Sequence, residues 1–313
     1  MIYDKDGNLV YTYKVIGIGE FGCAVINNMV SKSISGFEFI AMNSDAEKLN
    51  KSLASVKIHI GSKVEKKLNN ASNSDLSTQS LLDTLNILER HLKNTNMAIL
   101  IAEFGKNTDI DVLSAVAQIA NELGVLTIGV ILRPLCFEKK CYSKAYLEML
   151  NKQLDTCFIV ESSKIVSQKS FDEIQQNVIN VFTDIVYSMC YEVGPNSLPG
   201  ADFLDVIALY SNNELGTIYI GEAEGVDREI IAIERALDNP ITQIIPFSEV
   251  NVICYAIFIG MDFRIEEIEN IALKIYDVVE DNCDTFSNIL IDPKMKGEIR
   301  VTVFAMHQFR YAD

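Results

Sequence analysis

The sequence predicts an α/β protein: a doubly wound, Rossmann-like parallel sheet, a long central helix, and a smaller α+β C-terminal domain with a mixed sheet. Three observations predict it. Residues 14–45 read as an apolar strand, a glycine-rich turn, a helix and a second strand. Strand and helix patterns then alternate to about residue 171, as in a parallel sheet covered on both faces. From residue 172 a helix that is apolar almost all round separates this half from one of different style, which marks a helix packed on several sides. The boundaries are therefore 1–171, 172–196 and 197–313.

In chain order, residues 2–3 and 9–11 flank an Asp-Gly turn and predict a leading hairpin. Residues 37–42 and 56–60 follow as strands, and 63–74 is a polar loop. Leu81, Leu85, Leu88 and Leu92 recur at helical spacing. Residues 97–102 form a buried strand, 103–111 a loop, and 112–123 a helix closed by Gly124. A strand at 126–132, a helix at 146–154 and a strand at 157–160 complete the first half. The second half offers strands at 205–210, 216–221, 251–260, 286–291 and 298–306, with helices at 228–237 and from Ile265 to Val278. Helices are expected on one face of that sheet.

Length and charge narrow the function. A chain of 313 residues suits two domains. A net charge of -16 argues against nucleic acid, whose binding needs clustered cations. Seven cysteines lie mostly in apolar runs without zinc-site spacing, so reduced thiols in the cytoplasm and no metal are expected. The N-terminus lacks a signal-peptide layout, and apolar runs fall short of the roughly 18 residues that span a membrane.

Gly17, Gly19 and Gly22 fit G-x-G-x-x-G. The first glycine permits a tight turn, the second close backbone approach to phosphate, the third close helix packing. The helix start beyond attracts an anion, and Asp45 stands where an acidic residue takes a ribose hydroxyl. The motif alone leaves open a nicotinamide-dependent enzyme and a mononucleotide protein.

A family resemblance enters with an ordered set of landmarks. These are Gly17-Ile18-Gly19 with Asn27, Asn43-Ser44-Asp45-Ala46, Arg133-Pro134 with Phe137-Glu138, Asp202-Phe203-Leu204-Asp205, Ile220-Gly221-Glu222-Ala223, Asn239-Pro240, and Gly297-Glu298-Ile299-Arg300-Val301-Thr302-Val303. Together they resemble FtsZ, the bacterial tubulin relative, from about residue 13 to 309. The resemblance implies a GTPase-type first domain, a C-terminal activation-type domain and head-to-tail self-association, with itself or another FtsZ-like protein. It implies GTP or GDP at Gly17, Gly19, Gly22, Asn43, Asp45, Gly105, Lys106, Thr108, Arg133, Glu138 and Asp184. It also implies that Asp202 and Asp205 orient water in a neighbouring subunit's site, while Gly200 replaces the asparagine before them.

The departures are chemical. The family's glycine-threonine phosphate loop falls on Gly105-Lys106-Asn107-Thr108-Asp109-Ile110-Asp111, where only Gly105 and Thr108 remain. Side chains at Asn107, Asp109 and Asp111 remove the close approach that glycines allow. Glu20, Glu103, Asp109 and Asp111 put carboxylates where a polyanion would sit. One like-charge pair ~4 Å apart costs about 4 kcal/mol at an effective dielectric near 20, against about 8 kcal/mol for a micromolar ligand. The family's ribose arginine falls on Tyr142, its base asparagine on Ser162 and its stacking phenylalanine on Asn180. The glycine-rich loop expected near residues 66–73 has no glycine. A sharper reading of Asp109 and Asp111 is a divalent-cation contact facing a neighbour's Asp202 and Asp205. The expectation is an FtsZ-like filament former or partner-binding scaffold without GTP hydrolysis and with little GTP binding. A divergent, polymerising GTPase and a nicotinamide enzyme are the alternatives. The family's linker and membrane-docking tail are not expected, so no direct membrane binding is.

Overall fold

A computed structural model describes residues 2–3, 9–10, 12–60, 75–104, 107–133, 150, 152–165, 171–189, 207, 209–211, 214–238, 240–242, 250, 252–279, 283–293 and 295–308. The hairpin β1 (Ile2–Tyr3) and β2 (Leu9–Val10) pairs antiparallel, as expected. Then come β3 (Tyr13–Ile18), α1 (Gly19–Ser31), β4 (Phe37–Asn43), α2 (Ala46–Asn50) and β5 (Val56–His59). Next are α3 (Asp75–Leu92), β6 (Met97–Glu103), α4 (Asn107–Glu122), β7 (Leu126–Arg133), β8 (Thr156–Glu161) and the short α5 (Ser162–Ile165). The long helix α6 (Phe171–Ser188) leads to β9 (Glu214–Glu224), α7 (Arg228–Asp238), β10 (Val252–Ile259), α8 (Ile265–Tyr276), β11 (Asp284–Ile291) and β12 (Glu298–Gln308).

The strands from β3 to β12 form one sheet in the order β11-β10-β12-β9-β8-β7-β6-β3-β4-β5. From β5 to β8 all neighbours are parallel, and the order is that of a doubly wound fold. β3, β6 and β7 are mostly apolar and buried along almost their whole length because both their faces are covered. Alternate residues feed two cores. Val15, Ile99 and Ile101 pack with Ile26 and Met29 of α1 and Phe182 and Ile185 of α6. Ile16, Ile18 and Leu100 pack with Leu88 of α3 and Leu113 and Val116 of α4.

Sequence reading placed a sheet in each domain, and the structure joins them. β9 extends the parallel set through Thr156–Glu214 and Phe158–Gly216 pairings, then pairs antiparallel with β12. Gly216 is what lets the seam close, since a Cβ there would lie 1.9 Å from the Phe158 ring. Phe158 in turn meets Phe304 and Tyr210 edge-on, at 5.7 and 6.4 Å between ring centres. β12 pairs antiparallel with β10, and β10 parallel with β11, giving the expected mixed arrangement. α7 and α8 cover one face, while the C-terminal half of α6 reaches the other at Val252, Cys254, Phe304 and Met306.

Three local readings change. Residues 107–111 belong to α4 and not to a loop. Polar Asn107, Thr108 and Asp109 suit a helix start, where the free N–H groups and positive end welcome oxygen acceptors. The other end of α4 matches the reading. Gly124, at φ 71°, ends the helix with its N–H on Asn121 O and that of Val125 on Ala120 O. Ile207, Leu209 and Tyr210, read as strand, are helical, with Ser211 N–H on Ile207 O at 3.0 Å. A short unbroken apolar run does not separate the two by period. α6 also keeps a solvated stretch, with Glu173, Gln175 and Gln176 exposed before Phe182 to Met189 become buried. The readings at 63–74, most of 146–154 and the end of the central helix lie outside the described residues.

The C-terminal part is tied by an ion cluster. Arg228, opening α7, contacts Glu267 through Nε at 2.8 Å and Nη2 at 3.1 Å, and Asp262 through Nη1 at 2.8 Å. Glu267 also accepts the Arg264 N–H at 2.7 Å, so one buried carboxylate caps α8 and fixes α7. The guanidinium holds the Glu267 and Asp262 carboxyls below their usual range. Their stabilisation is therefore present above the ordinary carboxylate range and is lost as pH falls through it. Glu267→Gln should cost about 1–3 kcal/mol in urea unfolding, because the buried Arg228 loses its two-oxygen partner and keeps only Asp262, and should flatten the acid limb of stability against pH.

Candidate functional site

In a doubly wound sheet the chain leaves neighbouring strands in opposite directions at one point, opening a crevice beyond their carboxyl ends. Here that point lies between β3 and β6, since α1 covers one face and α4 the other. Three strand ends point to its rim: those of β3, β4 and β6, which lead to α1, α2 and α4.

The first is the glycine turn. A Cβ on Gly17 would lie 2.3 Å from Gly22 O, and one on Gly22 would lie 2.6 Å from Ile101 O. Both glycines therefore serve backbone-to-backbone packing of α1 on β3 and β6. Gly19 has φ 75°, the left-handed region that turns strand into helix. Ile18, before the helix, provides no side-chain cap. Glu20 in the first turn reaches Lys48 Nζ at 2.7 Å, and that hydrogen bond raises the lysine's pKa.

The second loop carries Asn43 and Asp45. Asn43 is buried, its Oδ1 accepts the Asp45 N–H at 2.9 Å, and its Nδ2 is buried without a partner. Asp45 Oδ1 accepts the N–H groups of Glu47 and Lys48 at 2.9 and 3.1 Å, so this carboxylate caps α2. His59 on β5 meets Ser44 O at 3.0 Å.

The third loop leads into α4. Glu103 ends β6, and the backbones of Thr108, Asp109 and Asp111 lie in the opening turns of α4. Asp111 Oδ2 is buried and has no hydrogen-bond partner among the described residues, and desolvation pushes its carboxyl up. Gly105 and Lys106 lie outside the described residues, as do the side chains of Thr108 and Asp109.

Arg133 closes β7 and pairs with Glu161 at 2.8 Å, while Ser162 Oγ donates to the Arg133 carbonyl. Asp184 is not brought to the rim. α6 packs on α1, with Phe21 edge-on to Phe182, Asn28 donating to Asn180 and Thr183, and Lys32 beside Asp184. Lys32 caps the far end of α1, whose 13 residues span about 20 Å. Asp184 there meets Arg300 of β12 at 2.9 Å, and Arg300 also meets Glu222 of β9 at 2.5 Å. Glu138, Tyr142, Gly200, Asp202 and Asp205 lie outside the described residues. Sequence reasoning missed Lys48, an exposed lysine on a five-residue helix that no periodicity or motif marks.

Among the described residues, no group of three or more His, Cys, Asp or Glu side chains is placed to hold a metal ion. Cys23, Cys157, Cys254 and Cys283 are free thiols. No described helix is long and apolar enough to cross a membrane.

A doubly wound sheet with a glycine turn at its crevice, continued by a mixed C-terminal sheet, defines a nucleotide-binding class of fold. Comparison gives the family. The Tubulin/FtsZ family GTPase domain matches residues 12–169, and the FtsZ family C-terminal domain matches residues 215–307. The chain belongs to the Tubulin/FtsZ family. It is 31% identical over 235 residues to the cell division protein FtsZ of Neisseria meningitidis, covering 73% of this chain and 60% of that protein. Against FtsZ of Rickettsia conorii it is 29% identical over 306 residues, 94% of this chain and 67% of the other. Among solved structures, an empty FtsZ dimer from M. jannaschii superposes with TM-score 0.83 at 21% identity, over 96% of this chain and 89% of that one. The chain thus spans about 60% of the length of the Neisseria relative.

Two outcomes follow from this geometry. Gly22→Ala should destabilise the fold by about 3 kcal/mol in denaturant titration, because the neighbours of its Cβ are backbone and do not give way. For Asp111 the folded state holds the proton more tightly than the unfolded chain, so its contribution worsens as pH rises through the carboxylate range. Asp111→Asn should therefore raise stability at neutral pH, by no more than about 1 kcal/mol because the group is partly hydrated, and the gain should vanish in acid.

Proposed function

We propose that this chain is an FtsZ-like cytoskeletal protein of the cytoplasm that has lost GTP hydrolysis and most GTP binding. It acts as a nucleotide-independent filament former or a partner-binding scaffold, associating with copies of itself or another FtsZ-like protein. The single observation that carries the reading is Asp111, a partly buried carboxylate whose Oδ2 has no partner among the described residues, in the opening turns of α4 where the family resemblance places a glycine loop for phosphate. A bound polyphosphate there would meet like charge in a partly dry setting, where repulsion is least screened. Self-association draws support from the family and from the relative solved as a dimer. In this reading Asp202 and Asp205 are remnants of a water-orienting pair acting on a neighbour.

A second reading has one observation in its favour. The glycine turn is complete and Lys48 neutralises Glu20, so a divergent site that still takes GTP or GDP keeps part of its cradle. A fluorescent GTP analogue titrated into the purified protein, with phosphate release followed in parallel, separates the two. The proposal expects no saturation at micromolar concentrations and no turnover; saturable micromolar binding or steady phosphate release would replace it with the second reading.

A further inference from the structure

Glu20 and Lys48 stand on either side of the crevice rim. Glu20 is in the first turn of α1, where a helix start favours an anion, and no side chain of Ile18 caps that start. Lys48 is held at the third position of α2 by Asp45, whose Oδ1 receives its N–H at 3.1 Å. Their side chains meet at 2.7 Å and are both about half exposed. Exposed pairs of this kind add little to stability and exchange readily with other ions. On the neighbouring loop the Asn43 Nδ2 is buried at the end of β4 and has no acceptor among the described residues.

We infer that the Glu20–Lys48 pair is an internal stand-in for a bound phosphate, with Glu20 as the competing anion and Lys48 as the cation that a phosphate would take over. The inference rests on the reading of this crevice as a degenerate nucleotide site. It makes Lys48 the residue on which anion selectivity at the glycine turn depends. Displacing Glu20 exposes the start of α1 and frees a lysine together. With Glu20 in place, an incoming phosphate must separate an existing ion pair and then share the rim with its carboxylate. Removing only the lysine leaves the carboxylate at the helix start and gains nothing for an anion.

The test is a double-mutant cycle on the full chain: wild type, Glu20→Gln, Lys48→Met and the double variant, titrated with a fluorescent GTP analogue at low salt. Thermal midpoints serve as the folding control, and both positions lie on the surface. Glu20→Gln should bind about tenfold tighter than wild type or better, a clearly resolved shift in Kd. Adding Lys48→Met should return affinity to the wild-type level or below, and Lys48→Met alone should bind no tighter than wild type. A Glu20→Gln variant no tighter than wild type, including one with no measurable binding, overturns the inference. So does a double variant as tight as Glu20→Gln alone. Micromolar binding with turnover by the wild type would overturn the function proposed above, while the cycle would still judge the pair.

Discussion

In the nucleotide-type half two pieces of backbone meet with no room for a side chain between them, Gly17 near the end of β3 and Gly22 in the first turns of α1. With no side chain on either, the helix presses against β3 and β6, and its start is set at the crevice. The rest of the arrangement is carried from there. α1 supports α6 through Phe21, Asn28 and Lys32, and α6 passes the alignment to β12 and β9 through Asp184, Arg300 and Glu222. The antiparallel half is oriented by this chain of contacts as well as by the β8–β9 seam at Gly216 and Phe158.

That packing role changes how the glycine fingerprint is interpreted. The fingerprint in isolation points to phosphate, yet Gly17 and Gly22 are required by the fold whether or not anything binds. A complete turn therefore says little about a ligand. At the start of α4, where the family resemblance expects the glycine loop, the chain carries Asn107, Asp109 and Asp111.

Much of the fold was legible in the sequence because central strands announce themselves. Residues 97–102 are an unbroken apolar run, 126–132 are apolar but for Thr127, and the two-residue pieces of the hairpin flank an Asp-Gly turn. Readings failed where local pattern is silent. The start of α4 is polar and reads as loop, although polar residues are what a helix start selects. The run ending at Tyr210 has no period to distinguish helix from strand. Joining of the two sheets depends on Gly216 accommodating Phe158, a contact between distant residues. Within the site, the hydrogen bonds of Asn43 and Asp45 were not visible in the sequence: Asn43 accepts the Asp45 N–H, and Asp45 caps α2. Asp184 came to the nucleotide only through the family resemblance, and its contacts in the fold, with Lys32 and Arg300 on other elements, are not written in its local sequence.

Membership of the Tubulin/FtsZ family makes assembly the property most worth measuring. Sedimentation of the purified protein over a concentration series, with and without GTP and Mg²⁺, addresses the central claim most directly. If assembly has been separated from nucleotide, the pelleted fraction should rise with concentration and be the same in both conditions. A pellet that forms only with GTP and redissolves as the nucleotide is consumed would contradict it.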